Sequence, residues 1–322
     1  MTDVYFYEAF AEEADALKRY LDEDIKAVFT DKTIQASGHE TPPAQIISTR
    51  TQSVLPEAWA GSVKGLLTRS TGYDHIIAYR ARTGLCPAAG YLPLYCHRAV
   101  AEQAMLLWTA LMRRLPKQQR QFTSFHRDGL TGQECQAKHL LVVGVGHIGS
   151  EVCRIGRGLD MDVKGVDIAP RHAEVHYVTI EEGLPWADII VCAMNLTDLN
   201  RDYFNYERFL QTKRGVFFVN VARGELSPSA DLLQLLEEEH LAGVALDVYD
   251  QESTLAEALR TGQAAEDPQV KAALALAARD NVILTPHNAF NTSEAVERKA
   301  EQSIQQIRHF KETGAFLWPV PT

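Results

Sequence analysis

The chain has 322 residues, enough for two hydrophobic cores, since a single core stops growing near roughly 250–300 residues. Its composition, 46% hydrophobic and 23% charged, is that of an ordinary globular protein, and a net charge of −10 disfavours nonspecific nucleic-acid binding, which needs a basic face to displace counterions. No apolar run approaches the roughly 18 residues of a membrane helix, and the acidic start, Met1 to Phe10, lacks the basic region of a secretory signal, so neither a membrane partner nor export is expected.

The opening Val4-Tyr5-Phe6-Tyr7 reads as a strand and Ala11 to Leu21 as a helix. Short apolar runs follow at Ile25 to Phe29, Gln45 to Ser48 and Val63 to Thr68, an alternation that points to parallel α/β structure. A long helical stretch from Ala99 to Leu115 ends before Pro116, and Lys117 to Gln136 reads as polar and poor in structure, with turns at Asp128-Gly129 and Thr131-Gly132. Six strands are then expected at His139–Val143, Asp162–Val166, Asp188–Cys192, Val216–Asn220, Gly243–Leu246 and Asn281–Leu284. Helices intervene at Ser150–Leu159, Asp202–Gln211 and Ser229–His240. Continuous apolar strands between helices are buried on both faces, as in a doubly wound sheet. The last amphipathic helix, Thr292 to Lys311, is too short for a domain and is expected to return to the first one. The expected division is residues 1–98 with 291–322 as one domain and 99–290 as the other.

Five cysteines, Cys86, Cys96, Cys135, Cys153 and Cys192, are scattered without CxxC spacing. They read as reduced thiols of a cytoplasmic protein, each a small buried residue, and not as a disulfide or metal framework.

A nucleotide signature stands at Gly144-Val145-Gly146-His147-Ile148-Gly149, between the strand Leu140 to Val143 and a helix. Gly144 permits a tight turn, Gly146 lets backbone approach a pyrophosphate, and Gly149 lets helix and strand pack closely. The next strand ends at Asp167, about 20 residues on, where a carboxylate accepts hydrogen bonds from ribose hydroxyls. Asp167 favours NAD over NADP by repelling a 2′-phosphate, although Arg171 lies nearby.

Downstream stand Arg223 in Asn220-Val221-Ala222-Arg223-Gly224, Glu252, and His287 in Thr285-Pro286-His287-Asn288. An arginine, a carboxylate and a histidine are the groups a 2-keto acid reductase needs. The planar guanidinium grips the substrate carboxylate. The imidazole donates a proton to the developing alkoxide, and a carboxylate partner favours its protonated form. Reduction needs the protonated imidazole and oxidation the neutral one, so reduction should have the more acidic optimum.

Together these motifs resemble the D-isomer-specific 2-hydroxyacid dehydrogenase family. The likeness runs from Arg69-Ser70-Thr71-Gly72-Tyr73-Asp74 through Ala99-Val100-Ala101-Glu102, the glycine motif and Asn220 to Gly224, then Leu246-Asp247-Val248 and Thr285-Pro286-His287. His147-Ile148-Gly149, the Asp247-Val248-Tyr249 lead into Glu252, and His287-Asn288-Ala289-Phe290 are most similar to the D-lactate dehydrogenase branch. The resemblance implies a Rossmann NAD-binding domain inserted in a flavodoxin-like substrate domain, and a homodimer with the Ala99–Leu115 helix contributing. It implies Arg223 on the substrate carboxylate and keto oxygen, His287 as acid/base and Glu252 as its partner. Backbone N–H groups of Thr71 and Gly72 would bind the carboxylate, and Tyr95 and Phe290 would line an apolar substrate wall. Gly144, Gly146, His147, Ile148, Gly149, Asp167, Ala222 and Asp247 would serve the cofactor, with Asp247 on its nicotinamide side.

Cys96-His97, Asn195 and Asn291 depart from the family pattern around substrate and cofactor, so they bear on substrate identity more than on reaction type. Two alternatives stay open: a relative acting on another small anion such as formate or phosphite, and an NAD(H)-sensing corepressor or scaffold. In the formate branch the histidine pairs with glutamine, so Glu252 argues against it.

Overall fold

The computed structural model describes residues 2–321. The chain divides into two compact units, one made of residues 2–96 and 291–321 and the other of His97–Phe290. In the first unit the four short apolar runs become the parallel strands β1 (Val4–Phe6), β2 (Ala27–Phe29), β3 (Ile46–Thr49) and β4 (Gly65–Thr68), and a fifth that no run announced, β5 (Ala88–Gly90), joins them. Their order is β2-β1-β3-β4-β5, the flavodoxin-like doubly wound arrangement. Tyr5 on β1 pairs with Val28 on one side and Ile47 on the other. Parallel neighbours need crossovers, and the helix Ala11–Tyr20 supplies the one between β1 and β2. Tyr7, Ile47, Trp59, Leu66 and Tyr79 fill a core on one side of this sheet.

The closing helix runs Ser293–Thr313, with Thr292 capping it by accepting from the Ala295 N–H. Its buried stripe, Ala295, Lys299, Ala300, Ser303, Ile304 and Ile307, has helical spacing but includes a lysine. Lys299 Nζ lies 2.9 Å from Glu13 Oε1, and Arg69 Nε lies 2.7 Å from the same oxygen. Arg69 is fully buried, and its other nitrogens donate to Ser48 Oγ at 2.9 Å and to the Tyr7 carbonyl at 2.7 Å. Burial raises the Glu13 carboxyl, but Arg69 and then Lys299 outweigh it and bring it down to about 2. A carboxylate depressed in this way contributes stability above its unfolded value of 4.5, and that contribution fades as pH falls towards about 2. Glu13→Leu removes the carboxylate that two buried cations share and is expected to cost about 3–5 kcal/mol, read from chemical denaturation near neutral pH. A loss below about 1 kcal/mol would show that the cluster carries little of the fold.

The second unit holds a seven-stranded sheet of β6 (His139–Val143), β7 (Asp162–Val166), β8 (His176–Tyr177), β9 (Ile189–Cys192), β10 (Val216–Asn220), β11 (Leu241–Leu246) and β12 (Val282–Leu284). All are parallel, in the order β12-β11-β10-β9-β6-β7-β8. This is the Rossmann order with one strand added beyond β11. The chain reverses direction across the sheet between β6 and β9, the topological switch point where ligands bind to such sheets.

Three expectations are corrected. The long helix is His97–Met112, and a second helix, Leu115–Phe122, begins where structure was expected to stop. Pro116 sits in its first turn, where a missing N–H costs nothing, after Arg114 in a left-handed conformation. The expected helix over Asp202–Gln211 shrinks to Tyr206–Phe209, because Asp202 is left-handed (φ 53°) and Asn205 caps the turn through the Arg208 N–H. All five cysteines are free, but only Cys96, Cys153 and Cys192 are buried, and Cys86 is exposed. Among the described residues no helix is long and apolar enough to cross a membrane.

Candidate active site

The three motif glycines occupy three different environments. Gly144 follows β6 with φ +91°, and a Cβ there would fall 2.5 Å from the Met194 backbone. Gly149 has no room at all, since a Cβ would lie 1.9 Å from the Gly144 carbonyl oxygen. Gly146 faces open space at the N-cap of the helix His147–Gly158. The first and third glycines bring strand and helix together, and the second leaves a bare backbone cradle at a helix N-terminus, suited to a pyrophosphate. Asp167 follows β7 and braces this turn, accepting from the Val145 N–H at 2.7 Å and the Ala169 N–H at 2.8 Å. These residues fit a dinucleotide.

Arg223 leaves the end of β10 in an extended conformation. The turn behind it is held by Asn220, fully buried, whose amide donates to the Arg223 carbonyl and to Ser227 Oγ, each at 2.8 Å, and accepts from the Ala222 N–H. Gly224 is packed so closely that a Cβ would lie 1.8 Å from the Tyr249 carbonyl carbon. The segments carrying Arg223 and Glu252 are therefore locked backbone to backbone. The Arg223 Nη1 donates to the Ala222 carbonyl at 2.8 Å.

Glu252 is the first residue of the helix Glu252–Thr261, presented by Gln251 in a left-handed conformation. His287 Nδ1 lies 2.9 Å from both carboxylate oxygens of Glu252. A carboxylate only accepts, so Nδ1 carries the hydrogen in this pair, and Nε2 is left for proton transfer. His287 is itself left-handed (φ 51°), a conformation that costs energy in a non-glycine residue and persists where surroundings impose it.

Those surroundings are visible. Asp247, 1% exposed, accepts from Thr285 Oγ1 at 2.5 Å and from the Asn288 and Ala289 N–H groups at 2.9 Å. Burial raises its carboxyl above the ordinary range, and these three donors pull the other way. Tyr249 donates to the Thr285 carbonyl at 2.7 Å. Phe290 stands edge-on to His287, ring centroids 6.5 Å apart. Thus Ala222, Arg223, Asp247, Glu252, His287 and Phe290 come together at the ends of β10, β11 and β12. The supporting roles of Asn220, Gly224 and Tyr249 are not legible in the sequence, although all three lie within or beside the motifs.

In the first unit Thr71 Oγ1 donates to the Leu92 carbonyl at 3.1 Å and lies 3.4 Å from Cys96 Sγ. Ser70 Oγ donates to the Gly72 carbonyl at 2.6 Å, which closes the loop on itself. Tyr95 is buried, but its ring is not surrounded by apolar groups alone: the Lys299 ammonium stands 5.8 Å from its centroid.

A family model for the D-isomer specific 2-hydroxyacid dehydrogenase NAD-binding domain matches residues 104–289, more than half of the chain. The chain belongs to the D-isomer-specific 2-hydroxyacid dehydrogenase family. Its cofactor is NAD, and its activity is that of an NAD-dependent D-2-hydroxyacid dehydrogenase. Among its relatives, the D-lactate dehydrogenase of Lactiplantibacillus plantarum is 31% identical over 82% of this chain and 80% of its own length. An aromatic 2-oxoacid reductase of Clostridium sporogenes is 30% identical over 78% of this chain and 77% of its own. Among solved structures, the Aquifex aeolicus D-lactate dehydrogenase complexed with NAD and lactic acid superposes with a TM-score of 0.84 and 25% identity. That match covers 99% of this chain and all of the other.

Proposed function

We propose that this family member reduces a small 2-oxo acid to the D-2-hydroxy acid, with His287 as proton donor, Glu252 as its partner and Arg223 as the carboxylate clamp. The observation that carries the reading is the symmetric 2.9 Å contact of both Glu252 oxygens with His287 Nδ1, which fixes the imidazole by one nitrogen and frees the other. NAD(H), when bound, supplies or accepts the hydride. The cradle at Gly146, with His147 and Ile148 opening the helix, Gly144 and Gly149 shaping it and Asp167 behind it, holds the dinucleotide. Ala222 and Asp247 would also serve the cofactor, Asp247 on its nicotinamide side. Arg223 and the N–H groups of Thr71 and Gly72 bind the substrate carboxylate, and Tyr95 and Phe290 meet its side chain. His287 Nε2 delivers a proton to the carbonyl oxygen as it becomes an alkoxide, and takes it back in the reverse direction.

The relatives named above support a 2-oxo acid as substrate, and they bear names as different as lactate and aromatic 2-oxoacid at nearly equal identity. NADH oxidation with pyruvate, 2-oxoisocaproate and phenylpyruvate is expected to show turnover with at least one, with reduction falling and oxidation rising as pH increases. No turnover on any 2-oxo acid, or the same pH trend in both directions, would overturn this reading.

We also propose a homodimer. Leu106, Phe122 and Phe125 are exposed along the helix His97–Met112 and the segment after it, the kind of apolar surface that association covers. Light scattering is expected to give twice the chain mass of 35.9 kDa, and a monomer at micromolar concentration would refute it.

A further inference from the structure

Lys299 is 2% exposed on the inner face of the last helix and has no part in the proton transfer described above. It shares one oxygen of Glu13 with Arg69, so this buried cluster holds two cations and one carboxylate. Arg50, which follows β3, adds a third positive field that acts on both Glu13 and Lys299. The nearby Glu8 carboxylate is spent on the backbone N–H groups of Arg50, Gln52 and Ser53. On the remaining side stand Tyr95 and Cys96, both kept neutral because burial raises the phenol and the thiol. On the same helix as Lys299, Arg298 donates to the Tyr95 carbonyl at 2.8 Å.

The cluster reaches the loop of Thr71 and Gly72 by two short routes. Arg69 immediately precedes Ser70, and its side chain has three buried partners. Lys299 sits over the Tyr95 ring, and the next residue, Cys96, touches Thr71 Oγ1. A surplus positive charge away from water is costly alone and is relieved by an incoming anion.

We propose that Lys299 is an affinity-determining residue for the substrate: its ammonium keeps a surplus positive charge buried beside the Ser70–Gly72 loop and strengthens that loop's hold on the substrate carboxylate. The inference rests on the assignment of Thr71 and Gly72 to that carboxylate. Burial, reinforced by Arg50 and Arg69 and opposed by Glu13, lowers the Lys299 amine to about 7. Bound carboxylate favours the protonated amine, so substrate binding raises that value. Affinity is therefore full below pH 7 and falls as pH rises from about 7 to the bound-state value.

The test uses the NADH-loaded His287→Asn chain, which removes the other proton-dependent group, and oxamate, a non-reducible mimic of a 2-oxo carboxylate. Its Kd is expected to rise roughly 10-fold between pH 6 and 9, the effect of a one-unit shift on binding. Adding Lys299→Met should flatten the profile at the weak limit, and adding Lys299→Arg should flatten it at the tight limit. Titration calorimetry in buffers of different ionisation enthalpy should show net proton uptake near pH 7.5 on oxamate binding to the His287→Asn chain, a readout that needs no change at Lys299. Absence of proton uptake, or a pH-dependent rise that survives in the Lys299 variants, would overturn the proposal. Failure of the proton-donor role is seen separately, as undiminished turnover in His287→Asn.

Discussion

His287→Ala is expected to lower keto-acid turnover by about 10²–10⁴-fold, the usual worth of a positioned general acid, while NADH affinity stays unchanged. The split follows from where the side chain is held. Its contacts are Glu252 and the edge of Phe290, and the glycine cradle and Asp167 lie at the ends of other strands. Glu252→Gln should leave a smaller deficit, because an amide oxygen can still accept from Nδ1 and keep the ring oriented. Stopped-flow reduction with saturating NADH, together with NADH fluorescence titration, checks both. Turnover of the alanine variant within threefold of the parent would remove His287 from the chemistry.

Arg223→Ala should be comparably severe but differently distributed. Losing a charged, hydrogen-bonded partner from a desolvated pair costs about 2–5 kcal/mol, which is roughly 30- to 5,000-fold in kcat/KM. KM and kcat should both suffer if, as proposed, the same guanidinium places the carboxylate and polarises the carbonyl. Arg223→Lys keeps the charge and loses the fork, so it should recover only part of the deficit. The turn that carries Arg223 is fastened by Asn220 and by the close approach of Gly224 to Tyr249, so the backbone should hold its course in both variants. A rise in KM with kcat unchanged would mean that Arg223 binds substrate without acting on the reacting carbonyl.

The central sheet was legible because short strand-like segments rich in Val, Leu and Phe alternate with helical stretches: His139–Val143, Asp162–Val166 and Val216–Asn220 have the expected ends. Strands β5 and β8 were not legible. One is Ala88–Gly90 and the other has two residues, and neither carries a period of its own. The second helix after Arg114 is not legible because Pro116 reads as a stop, although the same residue is favourable in a first turn. At the candidate site, the side chains proposed for the chemistry stand in recognisable motifs, whereas their geometry depends on contacts far apart in the chain. Nothing local marks Gln251 as left-handed, or Asp247 as the acceptor for Asn288 and Ala289. Lys299 was hidden most completely. A lysine on an amphipathic helix reads as a solvated charge, and its partner Glu13 lies at the opposite end of the sequence.

The close packing of Gly224 on Tyr249 and the three hydrogen bonds to Asp247 have a consequence for protein engineering. Residues 246–252 form a chassis on which Arg223, Glu252 and His287 are all mounted, so, with the roles proposed for those three, a library that randomises this stretch is expected to score mostly as dead enzyme whatever substrate is offered. Variation at Tyr95, Cys96 and Lys299 leaves the chassis untouched, and altered substrate preference should be sought there.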